Sequence, residues 1–464
     1  MINIEPFYKS IKDLRNIYQT KEASVREVTD AFLRRIGDLN YKLNAYIDIY
    51  GEDAKFSSIE ADKSIKQHKS HKLSGIIIGL KDLIDVKGKT TTAGSKRLRK
   101  NIATSNSKIT DYFFNQNSII IGKTNMVEFA FGSVGINTYT PTCRNPWDLE
   151  RVPGGSSSGS AVAVSAGLCT IAIGTDTGGS VRIPASLCGI TGFKPSYGVV
   201  SRKGVFDLSW TLDHVGPMAR SAKDCLEVMN VISSYKINDN YSKKLISNFS
   251  IHNNLDRNKY KIGIPKNYFF ENVDHEIKKT ILDAANKFDN LGYRVEEIEI
   301  PFVDEARRIC HGIVSKEVIS VHDNYLNHFE NYSKSVLNRM LGGLGVTDDE
   351  YLAVLRKMSK FNYEMTKAMK SYDFLLTPTV NLKTPLIKDC LNHKNYELNS
   401  MLKFTQVFNI TGQPSISIPA GLTSDKLPIG LMISGKFLHD NDVLNIAIDW
   451  QKETDFHLLR PKVT

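Results

Sequence analysis

The sequence predicts an α/β fold, and three local patterns predict it. Short β-branched runs bounded by Gly or Pro recur along the chain, helical periodicity follows a capping box near the N-terminus, and one segment reads as a β-α-β unit. In chain order, Ser24-Val25-Arg26-Glu27 has the form in which a serine and a glutamate satisfy each other's backbone donors, and Val28, Phe32 and Ile36 follow at helical spacing. Ile76-Ile77-Ile78-Gly79-Leu80 has the length and apolarity of a buried strand, and Lys81 closes it. Ser118 to Ile121, Thr170 to Ile173 and Ser415 to Ile418 are further strands by the same criteria. Ser160 to Gly167 reads as a tightly packed central helix, because its small residues allow close backbone approach. Lys261 to Pro265, a helix from His275 to Leu291, Gly292 and Arg294 to Ile298 complete the β-α-β unit.

The stretch from Pro153 to Pro184 carries the chemistry. Two serine-rich glycine turns, Gly154 to Ser160 and Gly174 to Ser180, flank the apolar segment Ala161 to Ile173. Successive N–H groups in such turns form anion-binding concavities. Serines supply nucleophiles and proton relays. An oxyanion site beside several hydroxyls points to acyl transfer. A flexible linker does not fit, since the segment between the turns is apolar. A phosphate loop does not fit either: Gly154 and Gly159 have its spacing, but Ser160 stands where its lysine belongs. Gly155-Ser156-Ser157-Ser158-Gly159 matches the G-x-S-x-G nucleophile elbow, with Ser157 as nucleophile. That reading leaves the second turn without a role. It also leaves its histidine to be chosen among His214, His311, His322, His328, His393 and His439.

Composition fits a soluble, cytoplasmic enzyme. The 464 residues allow a large core, and no polar linker, like-charge block or repeat divides them. The net charge of +10 is spread along the chain, without aromatics interleaved as a base-stacking stripe. The six cysteines include no C-x-x-C pair, so no zinc or dithiol site is signalled; Cys169 and Cys188 read as core thiols. No apolar run approaches the ~20 residues of a membrane span, and no signal-peptide core follows Met1.

The two turns, read as GGSSSGS and GTDTGGSVRIPASLCGITGFKPS, resemble the signature of the amidase signature family of amide hydrolases and amidotransferases. Gly75 to Asp82, Ile84 to Gly88, Gly122 to Met126, Asn145 to Asp148, Leu212 to Pro217, Leu376 to Thr379 and Gly412 to Pro414 extend the likeness, which spans about Ser24 to Trp450. The resemblance implies one large domain over residues 1–464, with N-terminal helices in 1–50, a signature core at about 75–220, and a central mixed sheet flanked by helices.

It also implies a Ser–Ser–Lys triad: Lys81 as base, Ser156 as relay serine after a cis peptide bond, and Ser180 as nucleophile. The two serines lie 24 residues apart, the family's spacing. A lysine with a free pKa of about 10.4 can serve as base near neutrality only where burial or neighbouring positive charge lowers that value. Lys81, at the end of an apolar strand, can point into such a dry site; pairing with Asp82 or Asp85 is the bland alternative. The backbone N–H groups of Thr177, Gly178, Gly179 and Ser180 are the expected oxyanion donors. Asp176 and Arg182 read as a buried pair holding that turn, and Ser157 and Ser158 as donors that hold the relay serine.

The resulting expectation is an amidase that converts a carboxamide to a carboxylate and ammonia, with no cofactor and no metal. The alternative is the glutamine-hydrolysing A subunit of an aminoacyl-tRNA amidotransferase. Ser209 to Pro217 resembles the general amidase version of its motif and favours the first. The expected partner is a small amide, with no membrane; a nucleic acid enters only in the amidotransferase setting, and a homodimer remains open. The substrate pocket is expected near Ser95, Met126 to Gly132 and Tyr325 to Met358. Met432 stands where the family usually has Gln, and predicts a more apolar acyl pocket.

Overall fold

Eleven strands hydrogen-bond into one mixed sheet in a computed structural model that describes residues 5–233, 249–252, 255–322, 328–391 and 400–463. They are β1 (Tyr46–Ile49), β2 (Ile77–Lys81), β3 (Ile119–Thr124), β4 (Ile171–Asp176), β5 (Thr191–Lys194), β6 (His214–Ala219), β7 (Lys261–Pro265), β8 (Arg294–Ile298), β9 (Phe374–Pro378), β10 (Ser415–Leu422) and β11 (Pro428–Gly435). Their order across the sheet is β1-β3-β2-β4-β6-β5-β10-β11-β9-β7-β8. The helices are α1 (Ile11–Thr20), α2 (Val25–Leu43), α3 (Gly51–Lys66), α4 (Lys108–Asn115), α5 (Ser158–Ser165), α6 (Arg182–Cys188), α7 (Ala222–Ile232), α8 (His275–Asn290), α9 (Ala306–His322), α10 (Lys334–Leu344), α11 (Asp348–Ala368), α12 (Ile387–Leu391), α13 (Val407–Ile410) and α14 (Asp440–Lys452).

The local signals act as their chemistry requires. Ser24 caps α2 and Glu27 closes the capping box; Val28, Phe32 and Ile36 are buried. β7 and β8 pair in parallel, with α8 as the crossover between them. Strands β2, β3 and β4 are mutually parallel, β3 and β4 each pairing with β2. The chain crosses over from β2 to β3 through α4 and from β3 to β4 through α5. Their C-terminal ends, Lys81, Thr124 and Asp176, therefore share one edge of the sheet, where open α/β sheets place their ligands.

The helix expected over Ser160 to Gly167 is α5, and every residue in it is buried. It lies against β2, β3, β4 and β6. Its small side chains are what permit this: a Cβ on Gly159 would fall on the backbone of Ala45 and Asn125. At the mouth of the sheet edge, α9 packs on α10 and α11 and forms a helical cover. The six cysteines are free thiols and all are buried. No helix among the described residues is long and apolar enough to cross a membrane.

Candidate active site

Lys81 ends β2 with its side chain fully buried. Its Nζ donates to Ser156 Oγ and to Thr175 Oγ1, both at 2.8 Å. It does not pair with Asp82, whose carboxylate instead faces the buried Lys123 at 3.5 Å and accepts from Thr92. Burial lowers the Lys81 amine to about 7, against the opposing pull of Asp213 and Asp176. The lowering favours the uncharged amine near neutral pH, which is the state a base needs.

Ser156 follows a cis peptide bond from Gly155 and is fully buried. Ser180 lines a cavity of about 410 Å³ together with Thr177 and Gly178. The backbones of the two turns are joined by Ser157 N–H donating to Ser180 O at 3.3 Å. The hydroxyls of Ser156 and Ser180 are not hydrogen-bonded to each other among the contacts of the described residues. Catalytic hydrogen bonds commonly tighten only when substrate is bound.

The second turn leaves donors unengaged. The N–H groups of Gly178, Gly179 and Ser180 donate to no acceptor among the described residues. Gly179 has a φ of +141°, a region L side chains rarely adopt, and a Cβ there would press on Ile183 and Thr405. Thr405 Oγ1 donates to Gly178 O at 2.5 Å, and Thr177 Oγ1 donates to Asp213 Oδ1 at 2.5 Å, so both flanks of the turn are tied. Burial, then the nearby Asp207, raises Asp213 to about 6.

Asp176 and Arg182 form the expected buried pair. Arg182 Nη2 lies 2.8 Å from Asp176 Oδ1 and its Nε 3.0 Å from Oδ2, with both side chains at 0% exposure. Val181 N–H and Asn409 Nδ2 also donate to this carboxylate. Burial by itself would raise the Asp176 carboxyl; the Arg182 guanidinium outweighs it and holds the group well below the usual carboxylate range. The pair pins the last residue of β4 to the residue that starts α6.

Other expectations change. Ser157 Oγ donates to Thr175 O at 3.1 Å and is fully buried, so it holds the strand below the turn and is not an exposed nucleophile. Ser158 Oγ has no hydrogen-bond partner among the described residues, so it is not a donor to the relay serine. No histidine among the described residues serves Ser157: His214 Nδ1 lies 2.7 Å from Leu212 O, His322 Nδ1 meets Tyr332 Oη at 3.0 Å, and His439 pairs with Asp442. His311 lines the cavity on α9, His328 lies near Glu330, and His393 falls outside the described residues. The nucleophile-elbow reading therefore fails.

The cavity is lined where expected by Ala130, Phe131 and Gly132, and by Asn338, Arg339 and Gly342. Ser95 is not among its walls; its hydroxyl donates to Glu128 at 2.7 Å. Tyr325 lies outside the described residues. Met432 is also not a wall. It is buried in β11 with its sulfur 3.6 Å from Arg182 Nη1, so the expected effect on an acyl pocket is overturned.

Sequence reasoning missed Thr175 as the second partner of Lys81, and missed Arg307 on α9. Thr175 sits within the GTDTGGS turn, but only the pairing of β2 with β4 brings it to the lysine.

A family model described as Amidase matches residues 27–444. The A subunit of glutamyl-tRNA(Gln) amidotransferase from Clostridium botulinum (strain Kyoto / Type A2) is 34% identical over 478 residues, covering 97% of this chain and 98% of that protein. Among solved structures, the A subunit of glutamyl-tRNA(Gln) amidotransferase from Thermotoga maritima is similar with a TM-score of 0.82 and 28% identity, covering 100% of both chains. A crystal structure of an amidase is similar with a TM-score of 0.87 and 26% identity, covering 96% of this chain and 100% of the other.

Proposed function

We propose a function from one premise: the chain belongs to the amidase signature family. It hydrolyses a carboxamide to a carboxylate and ammonia through an acyl group carried on Ser180. The observation that carries this reading is the contact of the buried Lys81 amine with the Ser156 hydroxyl, beside a turn whose Thr177, Gly178 and Ser180 line a cavity and whose Gly178, Gly179 and Ser180 N–H groups meet no acceptor among the described residues.

The steps follow from the groups present. Ser180 Oγ attacks the amide carbon; its proton passes to Ser156 Oγ while the Ser156 proton passes to the Lys81 amine. The tetrahedral oxyanion faces the N–H groups of Thr177 to Ser180, each such donor being worth roughly 2.7–4 kcal/mol in comparable sites. The C–N bond breaks, the relay returns a proton to nitrogen, and ammonia leaves. Water then attacks the acyl ester, gives its proton to the same relay, and Ser180 leaves as a hydroxyl with the carboxylic acid released. No cofactor or metal takes part in these steps. Asp176, Arg182 and Ser157 hold the turns and do not touch the substrate.

The curated relatives favour ammonia release within an amidotransferase, as the work of its glutamine-hydrolysing chain, over a free-standing amidase. On that reading further subunits and a tRNA are partners of the assembly. The motif Ser209 to Pro217 remains the observation that favours the free-standing form. Ammonia release from a panel of glutamine, acetamide, longer aliphatic amides and benzamide, with Ser180→Ala as blank, tests both. Glutamine turnover only after other cell proteins are added supports the amidotransferase; turnover of simple amides by the lone chain supports the amidase; release undiminished in Ser180→Ala overturns the mechanism.

A further inference from the structure

The side chains lining the cavity at Ser180 that can be charged near neutral pH are all basic. Arg307 and His311 on α9 and Arg339 on α10 are among its walls, and no Asp or Glu is, among the described residues. Neither arginine forms an ion pair with any described carboxylate. Arg339 is anchored rather than neutralised: its Nη1 donates to Phe131 O and its guanidinium carbon lies 5.4 Å from the Phe131 ring centroid. The other walls are uncharged: Leu208, Val314 and Leu402 are apolar, and Ser315, Asn338 and Gln406 are neutral and polar.

Such a lining discriminates by charge. A guanidinium offers forked donors that match a carboxylate, and it does so more strongly where apolar walls thin the water. An ammonium group in the same space meets only like charge, and an ammonium without a counter-charge is costly to desolvate. Glutamine carries both groups and gains at one end what it loses at the other.

We propose that the acyl part of the substrate bears a carboxylate or similar anionic group and no ammonium group, with Arg307 and Arg339 reading the anion while the amide lies at Ser180. The inference rests on the reading that Ser180 attacks an amide. It keeps that chemistry and departs from the glutamine-hydrolysing reading in one respect, since glutamine carries the ammonium group that these walls disfavour.

A matched set of amides tests it: glutaric acid monoamide (anion only), glutamine (anion and ammonium), pentanamide (neutral) and 5-aminopentanamide (ammonium only). The expected order of kcat/KM for ammonia release is the monoamide first, at least about tenfold over pentanamide and over glutamine, and 5-aminopentanamide last. Arg339→Met and Arg307→Met should each shrink the ratio of monoamide to pentanamide, chiefly through KM, whereas Arg308→Met, on the same helix and paired with Glu305, should leave the ratio unchanged. Pentanamide or glutamine turned over as well as the monoamide would overturn the inference. Calorimetric binding to the Ser180→Ala protein decides the matter independently of turnover: monoamide bound more tightly than pentanamide and glutamine sustains it, and equal or absent binding sinks it. Loss of all ammonia release with that binding preference intact would instead count against the acyl-serine reading.

Discussion

Lys81 Nζ lies 2.8 Å from Ser156 Oγ, a contact made across 75 residues of chain. It is made possible by α5, which opens just after Ser156 and packs on β2, β3 and β4, and by the parallel pairing of β2 with β4 beneath that helix. The same pairing supplies Thr175 as the second oxygen on the amine.

The pH dependence follows from the buried amine. Lys81 titrates at about 7, lowered by burial, and only its neutral form can accept the relay proton. Activity should therefore be low at pH 5.5, rise through about pH 7 and level off above it. A kcat/KM profile in buffers of constant ionic strength checks this; a profile flat across that range would remove Lys81 as the base.

The serines should separate by role. Ser180→Ala and Lys81→Ala should lower kcat by about 10⁴ or more, as expected when members of one catalytic unit are deleted singly, and Ser156→Ala should be severely impaired. Ser157→Ala should retain measurable turnover and lose about 0.5–1.5 kcal/mol of stability, the worth of its bond to Thr175 O. Single-turnover kinetics and urea unfolding of the four variants distinguish these outcomes; a dead Ser157→Ala enzyme with normal stability would return the nucleophile to Ser157.

Thr175→Val removes an oxygen that accepts from the Lys81 amine. Losing an acceptor disfavours the charged amine, so its pKa falls further and the acid limb of the pH profile moves to lower pH. The expected sign is specific to that contact, since a general loosening of the site would let water in and move the limb upward.

Asp176→Asn should destabilise the protein by about 3–5 kcal/mol, because it leaves the fully buried Arg182 guanidinium without its counter-charge. Denaturant midpoints would show it. A replacement of both residues by apolar ones should cost less than the single change, the mark of a buried pair.

Met432→Gln should leave the preference among aliphatic amides unchanged, because Met432 packs on Arg182 and not on the cavity. A changed ratio of long-chain amide to acetamide turnover would show that the side chain reaches the acyl group.

The fold class, the helix opening at Ser24, the β-α-β unit from Lys261 and the buried strand ending in Lys81 were legible in the sequence. Each depends on neighbours a few residues away: a capping side chain, a run of β-branched residues, a glycine where the chain turns. The pairing of Asp176 with Arg182 was also legible, since the two lie on either side of one short turn. The roles of Lys81, Ser156 and Ser180 came from motif resemblance, not from periodicity.

Tertiary structure decided the rest. Thr175 beside Lys81, Asp213 beneath Thr177, Met432 against Arg182 and the two arginines above Ser180 are set by strand order and by helices packed across long stretches of chain. Such contacts leave no local pattern, because each residue alone looks like an ordinary strand or helix position. Local chemistry wrote the turns and the elements into the sequence; only the closing of the sheet and its helical cover determined which charges face the cavity.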